Sequence, residues 1–271
     1  GQMTYPGEWI IAKQDYRDRM NGARDETSVY VYGYSYWVPE GSTPVSLTLP
    51  ADQNIGVLSI AATKPTFVDL GNYYNNFGIT TAPWQVPNHQ GFDLDGNYYN
   101  SSNLDLNWLK GKDSVPDPVY MTWAGAAFKT GPIPTENKDV SNFSSGDYPL
   151  NVVKADGQTI SVPSGGYTNV RMLGAGEYGT QSNQQIRVNF TDGTSEIWTQ
   201  TFTDWATKPD AKTADGEFLV NAGTRIDQLG NQTETTANVY GYSYPVPAGK
   251  TVQSLTLPNN NRVGILAISL L

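Results

Sequence analysis

The sequence predicts an all-β protein of the β-sandwich or jelly-roll class, made of one complete module plus a partial repeat of that module's C-terminal strands. Three observations predict it: an internal repeat at constant offset, short runs in which apolar and polar residues alternate, and Gly, Pro and Asn turn chemistry between those runs.

The repeat comes first because it sets the domain organisation. Val31-Tyr-Gly-Tyr-Ser-Tyr36 recurs as Val239-Tyr-Gly-Tyr-Ser-Tyr244, and Ser46-Leu-Thr-Leu-Pro50 as Ser254-Leu-Thr-Leu-Pro258. Both pairs share one offset, since 239 − 31 = 208 and 254 − 46 = 208. The register continues through Ile55-Gly-Val-Leu-Ser-Ile60 against Val263-Gly-Ile-Leu-Ala-Ile268, with Arg17 upstream aligned to Arg225. Gly7-Glu8-Trp9 answers Gly216-Glu217-Phe218 one residue out of register. Residues 1–66 therefore read as the C-terminal strands of a preceding module, and 67–271 as a complete one.

Within the complete copy, Tyr167–Leu173, Gln185–Phe190, Glu196–Phe202, Asn238–Tyr244, Val252–Leu257 and Val263–Leu270 alternate with period two, the pattern of half-buried strands. Asp192-Gly193 between two such runs predicts a tight hairpin, because glycine accepts the positive φ the turn requires. Helix is expected only as a short turn near Leu104–Leu109. The stretch from Phe67 to Asp147 is less periodic and rich in Gly, Asn and Pro, and in a sandwich such long loops are the expected place for binding.

Composition limits the function classes. The 271 residues contain no cysteine, which excludes disulfides and thiolate metal sites. Only 16% of residues are charged and the net charge is −9, so nucleic acid and other polyanions are disfavoured ligands. A charge-poor surface rich in Tyr, Thr, Asn, Ser and Gly suggests a secreted, extracellular protein. No apolar run is long enough to span a bilayer. The start at Gly1 without a signal peptide is read either as removal of a leader or as excision from a longer chain.

Candidate chemistry is sparse. Gly174-Ala-Gly176-Glu-Tyr-Gly179 has dinucleotide-site spacing, but Gln181–Phe190 immediately after it reads as a strand where the site needs a helix, so it is expected to be a glycine-rich strand connection. Asp93-Leu-Asp95-Gly-Asn97 begins like a calcium loop, then departs from the EF-hand pattern at Tyr98 and Leu104. A looser structural Ca²⁺ site on Asp93, Asp95 and Asn97 is one expectation; an Asx-type turn capping local amides is the other. No other cofactor is expected. His89 is the single histidine, so a three-histidine zinc site is impossible, and no context identifies a nucleophilic serine. With 26 Asp plus Glu, a pair of carboxylates suited to glycoside hydrolysis stays open.

Aromatic residues carry the binding expectation, because Trp and Tyr faces stack on sugar C–H faces while Asn and Asp hold the hydroxyls. Trp84, Tyr98, Tyr99, Trp108 and Trp123 fall in the irregular region beside Asn88, Asp93, Asp95 and Asn97, and are the candidate ligand-binding set. Each could equally be a core aromatic. Trp37 joins the set because the other copy has Pro245 there, so the fold does not demand it. Trp198 and Trp205 are assigned to the core, and the alternating Tyr34, Tyr36, Tyr242 and Tyr244 to the architecture.

Gly78-Ile-Thr80, Phe92-Asp-Leu-Asp-Gly-Asn-Tyr-Tyr99, Gly157-Gln-Thr-Ile160, Thr191-Asp-Gly-Thr194, Thr199-Gln-Thr-Phe-Thr-Asp-Trp205, Tyr242-Ser-Tyr244 and Ser254–Asn260 occur in the order of the sequence blocks of a known module. The chain from about 67 to 271 resembles the ancillary β-sandwich found beside the catalytic domains of secreted bacterial glycoside hydrolases and in some secreted peptidases. Leu94, Asp95 and Tyr98 depart from its pattern. The resemblance implies a non-catalytic domain that binds polysaccharide or oligosaccharide, or supports a catalytic domain in the same chain. Two alternatives stay open: a structural spacer or self-assembling surface or filament module using strand complementation, and a glycoside hydrolase with an unrecognised carboxylate pair.

Overall fold

The computed structural model describes residues 8–34, 38, 43–60, 64, 66–80, 91–93, 95–104, 120–133, 149–208 and 214–271. Its strands, in chain order, begin with β1 (Glu8–Gln14), β2 (Arg17–Asp18), β3 (Arg24–Asp25) and β4 (Val29–Tyr34) in the repeat segment. Next come β5 (Thr66–Phe67), β6 (Ile79–Thr80), β7 (Tyr98–Asn100), the single-turn helix α1 (Ser101–Leu104), β8 (Tyr120–Trp123) and β9 (Ala126–Lys129). The body of the protein is built from β10 (Val153–Asp156), β11 (Thr159–Ser161), β12 (Asn169–Gly176), β13 (Gln181–Phe190), β14 (Ser195–Phe202), β15 (Glu217–Ile226), β16 (Gln232–Pro245), β17 (Val252–Thr256) and β18 (Asn259–Leu270).

Two sheets form the sandwich. The larger runs β10-β18-β12-β16-β15-β7-β6, with β5 paired to β18; the smaller runs β11-β17-β13-β14. The all-β sandwich expectation holds, and each of the six alternating runs lies in or overlaps a strand. On β13 the inward residues Ile186, Val188 and Phe190 are buried while Arg187 between them is exposed. On β14, Trp198, Gln200 and Phe202 point in. Aromatic rings tie the sheets together: Trp198 stacks on Tyr244 at 4.6 Å and 6°, and Phe202 meets Tyr242 at 4.6 Å. The Trp198, Trp205, Tyr242 and Tyr244 assignments are therefore correct for the complete copy.

Turn chemistry behaves as read. Gly193 adopts φ 82° between β13 and β14, and Asp192 Oδ1 accepts from Thr194 N and Oγ1 at 3.0 and 2.7 Å. In the Gly174–Gly179 stretch the glycines serve close strand packing: a Cβ on Gly174 would sit 2.5 Å from the Gly264 carbonyl oxygen, and one on Gly176 2.6 Å from that of Phe202. The chain then enters β13, so this is a strand connection as expected. The expected helical turn begins earlier than read, at α1, and 105–109 lie outside the described residues.

One expectation about β18 is corrected. Its alternation suggested one wet face, yet every residue from Val263 to Leu270 is buried. The irregular segment supplies the reason. Phe77, Phe92, Tyr98, Tyr99, Met121 and Phe128 are fully buried, so the described parts of that segment close over the strands. Asn151 pins it down: its Oδ1 accepts from Gly78 N and Ile79 N, and its Nδ2 donates to Ile79 O and Pro132 O, all within 2.8–3.1 Å.

The repeat segment reproduces a piece of the complete module. β1 pairs antiparallel with β4, placing Glu8 opposite Tyr34, Trp9 opposite Gly33 and Ile10 opposite Tyr32, with a bulge between Ile10 and Ala12. β15 and β16 place Glu217 opposite Tyr242, Phe218 opposite Gly241 and Leu219 opposite Tyr240, with a bulge between Leu219 and Asn221. The hairpins share register and bulge. Beyond β4 the likeness stops, because residues 43–60 form no strand. Leu47, Leu49, Ile55, Val57, Leu58 and Ile60 are 46–79% exposed, whereas their counterparts Leu255, Leu257, Val263, Ile265, Leu266 and Ile268 are 2% exposed or less.

Candidate functional site

The turn around Asp93 is the sequence-predicted site that the structure describes best. Phe92 N donates to Asn97 O at 2.6 Å and Gly96 N to Asp93 O at 3.2 Å, closing a tight loop whose Gly96 has φ 78°. Gly91 is needed there, since a Cβ would lie 2.7 Å from the Gly96 backbone. Asp93 Oδ1 accepts from Asp95 N, Asn97 N and Asn97 Nδ2 at 2.9–3.1 Å; Oδ2 accepts from Asn97 Nδ2 at 2.9 Å and lies 3.8 Å from Arg225 Nη1. Burial pushes the Asp93 carboxyl up, opposed by the Asn97 hydrogen bonds and Arg225.

Those contacts are N–H donors, the reverse of an oxygen cage. The arrangement is the amide-capping Asx turn, and a cation would have to displace Asn97 and Arg225. Asp95 is exposed, and no cluster of three or more acidic or histidine side chains suited to a metal occurs among the described residues.

Three of the expected sugar-stacking aromatics are corrected. Tyr98 is 0% exposed and packs on Phe77 at 5.3 Å. Tyr99 is likewise 0% exposed; its hydroxyl donates to Asn238 O at 2.7 Å and its ring sits 4.7 Å from Phe92 and 4.9 Å from Trp205. Trp123 is 3% exposed, beside Phe218 at 5.6 Å and over Gly241, where a Cβ would meet its ring at 2.7 Å. A ring with both faces in the core has none to offer a sugar. Trp84, Asn88, Trp108 and Trp37 lie outside the described residues.

Beside the Asp93 turn lies a pair that the sequence reading missed. Lys154 on β10 and Glu177 just after β12 both flank β18, where Lys154 and Ala175 each register with Gly264. Lys154 Nζ is 2.8 Å from Glu177 Oε2, with side chains 9% and 1% exposed. Below Nζ is the Phe92 ring at 4.2 Å, and Phe92 packs on Trp205 at 4.7 Å. Gly264 leaves the space, since a Cβ there would lie 2.4 Å from the Phe92 ring. Burial lowers the Lys154 pKa against the opposing pull of Glu177; it raises the Glu177 carboxyl to about 7, with Lys154 pulling down and Asp93 and Asp204 adding to the rise. The available signals were a lysine inside the apolar run Val152-Val-Lys-Ala155 and a glutamate inside a glycine-rich strand end.

The outer face of the smaller sheet carries a shallow groove of about 370 Å³ lined by Gln184, Gln185, Arg187, Ile197, Thr256 and Asn259. Among the described residues no helix is long and apolar enough to cross a membrane.

Fold, topology and inter-sheet aromatics define a β-sandwich domain. Residues 110–271 match the AziU2-like beta-sandwich domain, and the chain belongs to that family. The described strands β5–β7 precede the matched region yet pair into the larger sheet. No curated protein matches the chain.

Proposed function

We propose that this chain is a non-catalytic structural module of a modular protein, in which residues 8–60 are the trailing half of a sandwich that docks on the leading half of another module of the same family. The observation that carries this is the paired hairpins. β1–β4 has already adopted the register and bulge of β15–β16, so the repeat folds as far as its own strands allow. What it lacks are the equivalents of β12, which flanks both β16 and β18, and of β13, which flanks β17. Each buried Leu, Ile or Val side chain contributes about 1.5–3 kcal/mol, so covering the six exposed ones would contribute on the order of 10 kcal/mol. Strand addition to the edge of β4 that no described strand occupies would supply the backbone hydrogen bonds.

The 271-residue sequence holds two trailing halves and one leading half, and the leading half is occupied by β15–β18. Any assembly of this chain alone leaves one trailing half uncovered. A leading half carried by a separate polypeptide of the same family is the partner proposed. The test is titration of the full chain with a polypeptide of residues 67–213: saturable one-to-one binding, lost in Val57→Asp, supports the proposal. Binding indifferent to Val57→Asp would reflect exchange within the complete module and would refute it.

A second reading rests on the outer groove. Amides and a guanidinium spaced along a sheet face suit sugar hydroxyls, and the resemblance of the sequence blocks to modules beside glycoside hydrolases supports glycan as the ligand. Retention on an immobilised polysaccharide, abolished by Arg187→Ala or Gln185→Ala, would favour it; indifference to both variants would remove it.

A further inference from the structure

The Lys154–Glu177 contact is not explained by either function. We propose that Lys154 and Glu177 are joined in the folded protein by an amide bond between Nζ and Cδ, a self-formed covalent cross-link from β10 to the connection after β12. Three features of geometry point to it. Nζ and Oε2 lie 2.8 Å apart as a buried pair, and among the described residues no third group hydrogen-bonds to either atom. Aromatic rings wall the pair, with the Asp93 and Asp204 carboxylates the charged groups acting on Glu177: Nζ rests 4.2 Å from the Phe92 ring, and Phe92, Tyr99 and Trp205 pack on one another at 4.7–4.9 Å. The third is topological. β10 is the edge strand of the larger sheet, and the bond would bridge β18 to tie that edge to the third strand.

The chemistry balances without an outside reagent. The carbon–nitrogen bond forms between Nζ and Cδ; one carboxyl oxygen leaves Cδ, taking two of the ammonium's three protons, and departs as water. In water such a condensation is opposed by the stability of the separated ions. Burial reverses that preference, since a site of low polarity favours the uncharged amine and acid. The direction in which burial moves both groups, Lys154 down and Glu177 up to about 7, agrees with this. Positioning supplies the rest, because reactants held within about 3–3.5 Å behave as though present at very high concentration. The proposal does not depend on what residues 8–60 bind.

Intact mass of the full chain, purified after folding and then denatured, tests it. The expected mass is that of the sequence less one water, with a branched tryptic peptide linking Lys154 to Glu177 and no cleavage after Lys154. Lys154→Met and Glu177→Ala should each restore the full mass of the variant sequence. A wild-type mass equal to the sequence overturns the proposal. So does a lost water that maps to succinimide at Asp95-Gly96, Asp156-Gly157, Asp192-Gly193 or Asp215-Gly216 with no branched peptide. Should either variant fail to fold, the wild-type mass and peptide map decide alone.

Discussion

Tyr242 donates its hydroxyl to Glu217 Oε1 at 2.6 Å across the β15–β16 pair, in a site where Glu217 is 5% exposed and Tyr242 fully buried. The same carboxylate accepts from Thr203 N at 2.9 Å and Ala214 N at 3.2 Å, so it fastens the chain entering β15 to the end of β14. In the repeat, Glu8 and Tyr34 stand opposite each other in the same register. Tyr242→Phe should leave Glu217 short of a buried partner and cost about 1–3 kcal/mol in denaturant unfolding.

The two copies should respond unequally to the same truncation. Leu255→Ala removes a fully buried side chain and should cost about 2–5 kcal/mol, whereas Leu47→Ala, at the matching position, should change stability by less than about 0.5 kcal/mol in the chain alone. Equal losses in urea melts would mean that the repeat is already covered.

Gly264 is required by contact rather than by backbone angle. Gly264→Ala would drive a methyl into the Phe92 ring from 2.4 Å, and should lower stability by about 1–3 kcal/mol through overpacking. Phe92→Leu in the same background should recover part of that loss.

Lys154→Met leaves Glu177 buried with neither a cation nor an amine to join. Its folded pKa, already raised by burial to about 7 from an ordinary 4.5, then lacks the Lys154 pull that lowered it. A carboxyl with a raised folded pKa holds its proton more tightly folded than unfolded. Its contribution is therefore complete below the unfolded value and is lost as pH rises through the folded one. Thermal melts of Lys154→Met should fall between about pH 5 and 8, and adding Glu177→Gln should flatten the slope.

The sandwich was legible because its strands alternate and its turns carry glycine where positive φ is needed, as at Gly193. The repeat was legible because identity at constant offset needs no structural knowledge. The burial of Tyr98, Tyr99 and Trp123 was not legible. A Gly- and Asn-rich segment has no period, and what buries these rings is a long-range contact: Tyr99 to Asn238, Trp123 to Gly241. Lys154 and Glu177 were hidden for the same reason, since their meeting depends on both flanking β18. The repeat's exposure was foreseeable only in part. An unpaired edge can be inferred by counting strands, but the exposed Leu47 and Val57 faces are seen only in three dimensions.

Amide hydrogen exchange of the full chain, alone and with the 67–213 polypeptide added, compares residues 46–60 with their counterparts 254–268 in a single experiment. Structural complementation predicts rapid exchange at 46–60 and strong protection at 254–268 in the isolated chain, with protection appearing at 46–60 when the leading half is supplied. Protection of 46–60 already present in a monomer, or no gain at saturating leading half, would contradict it.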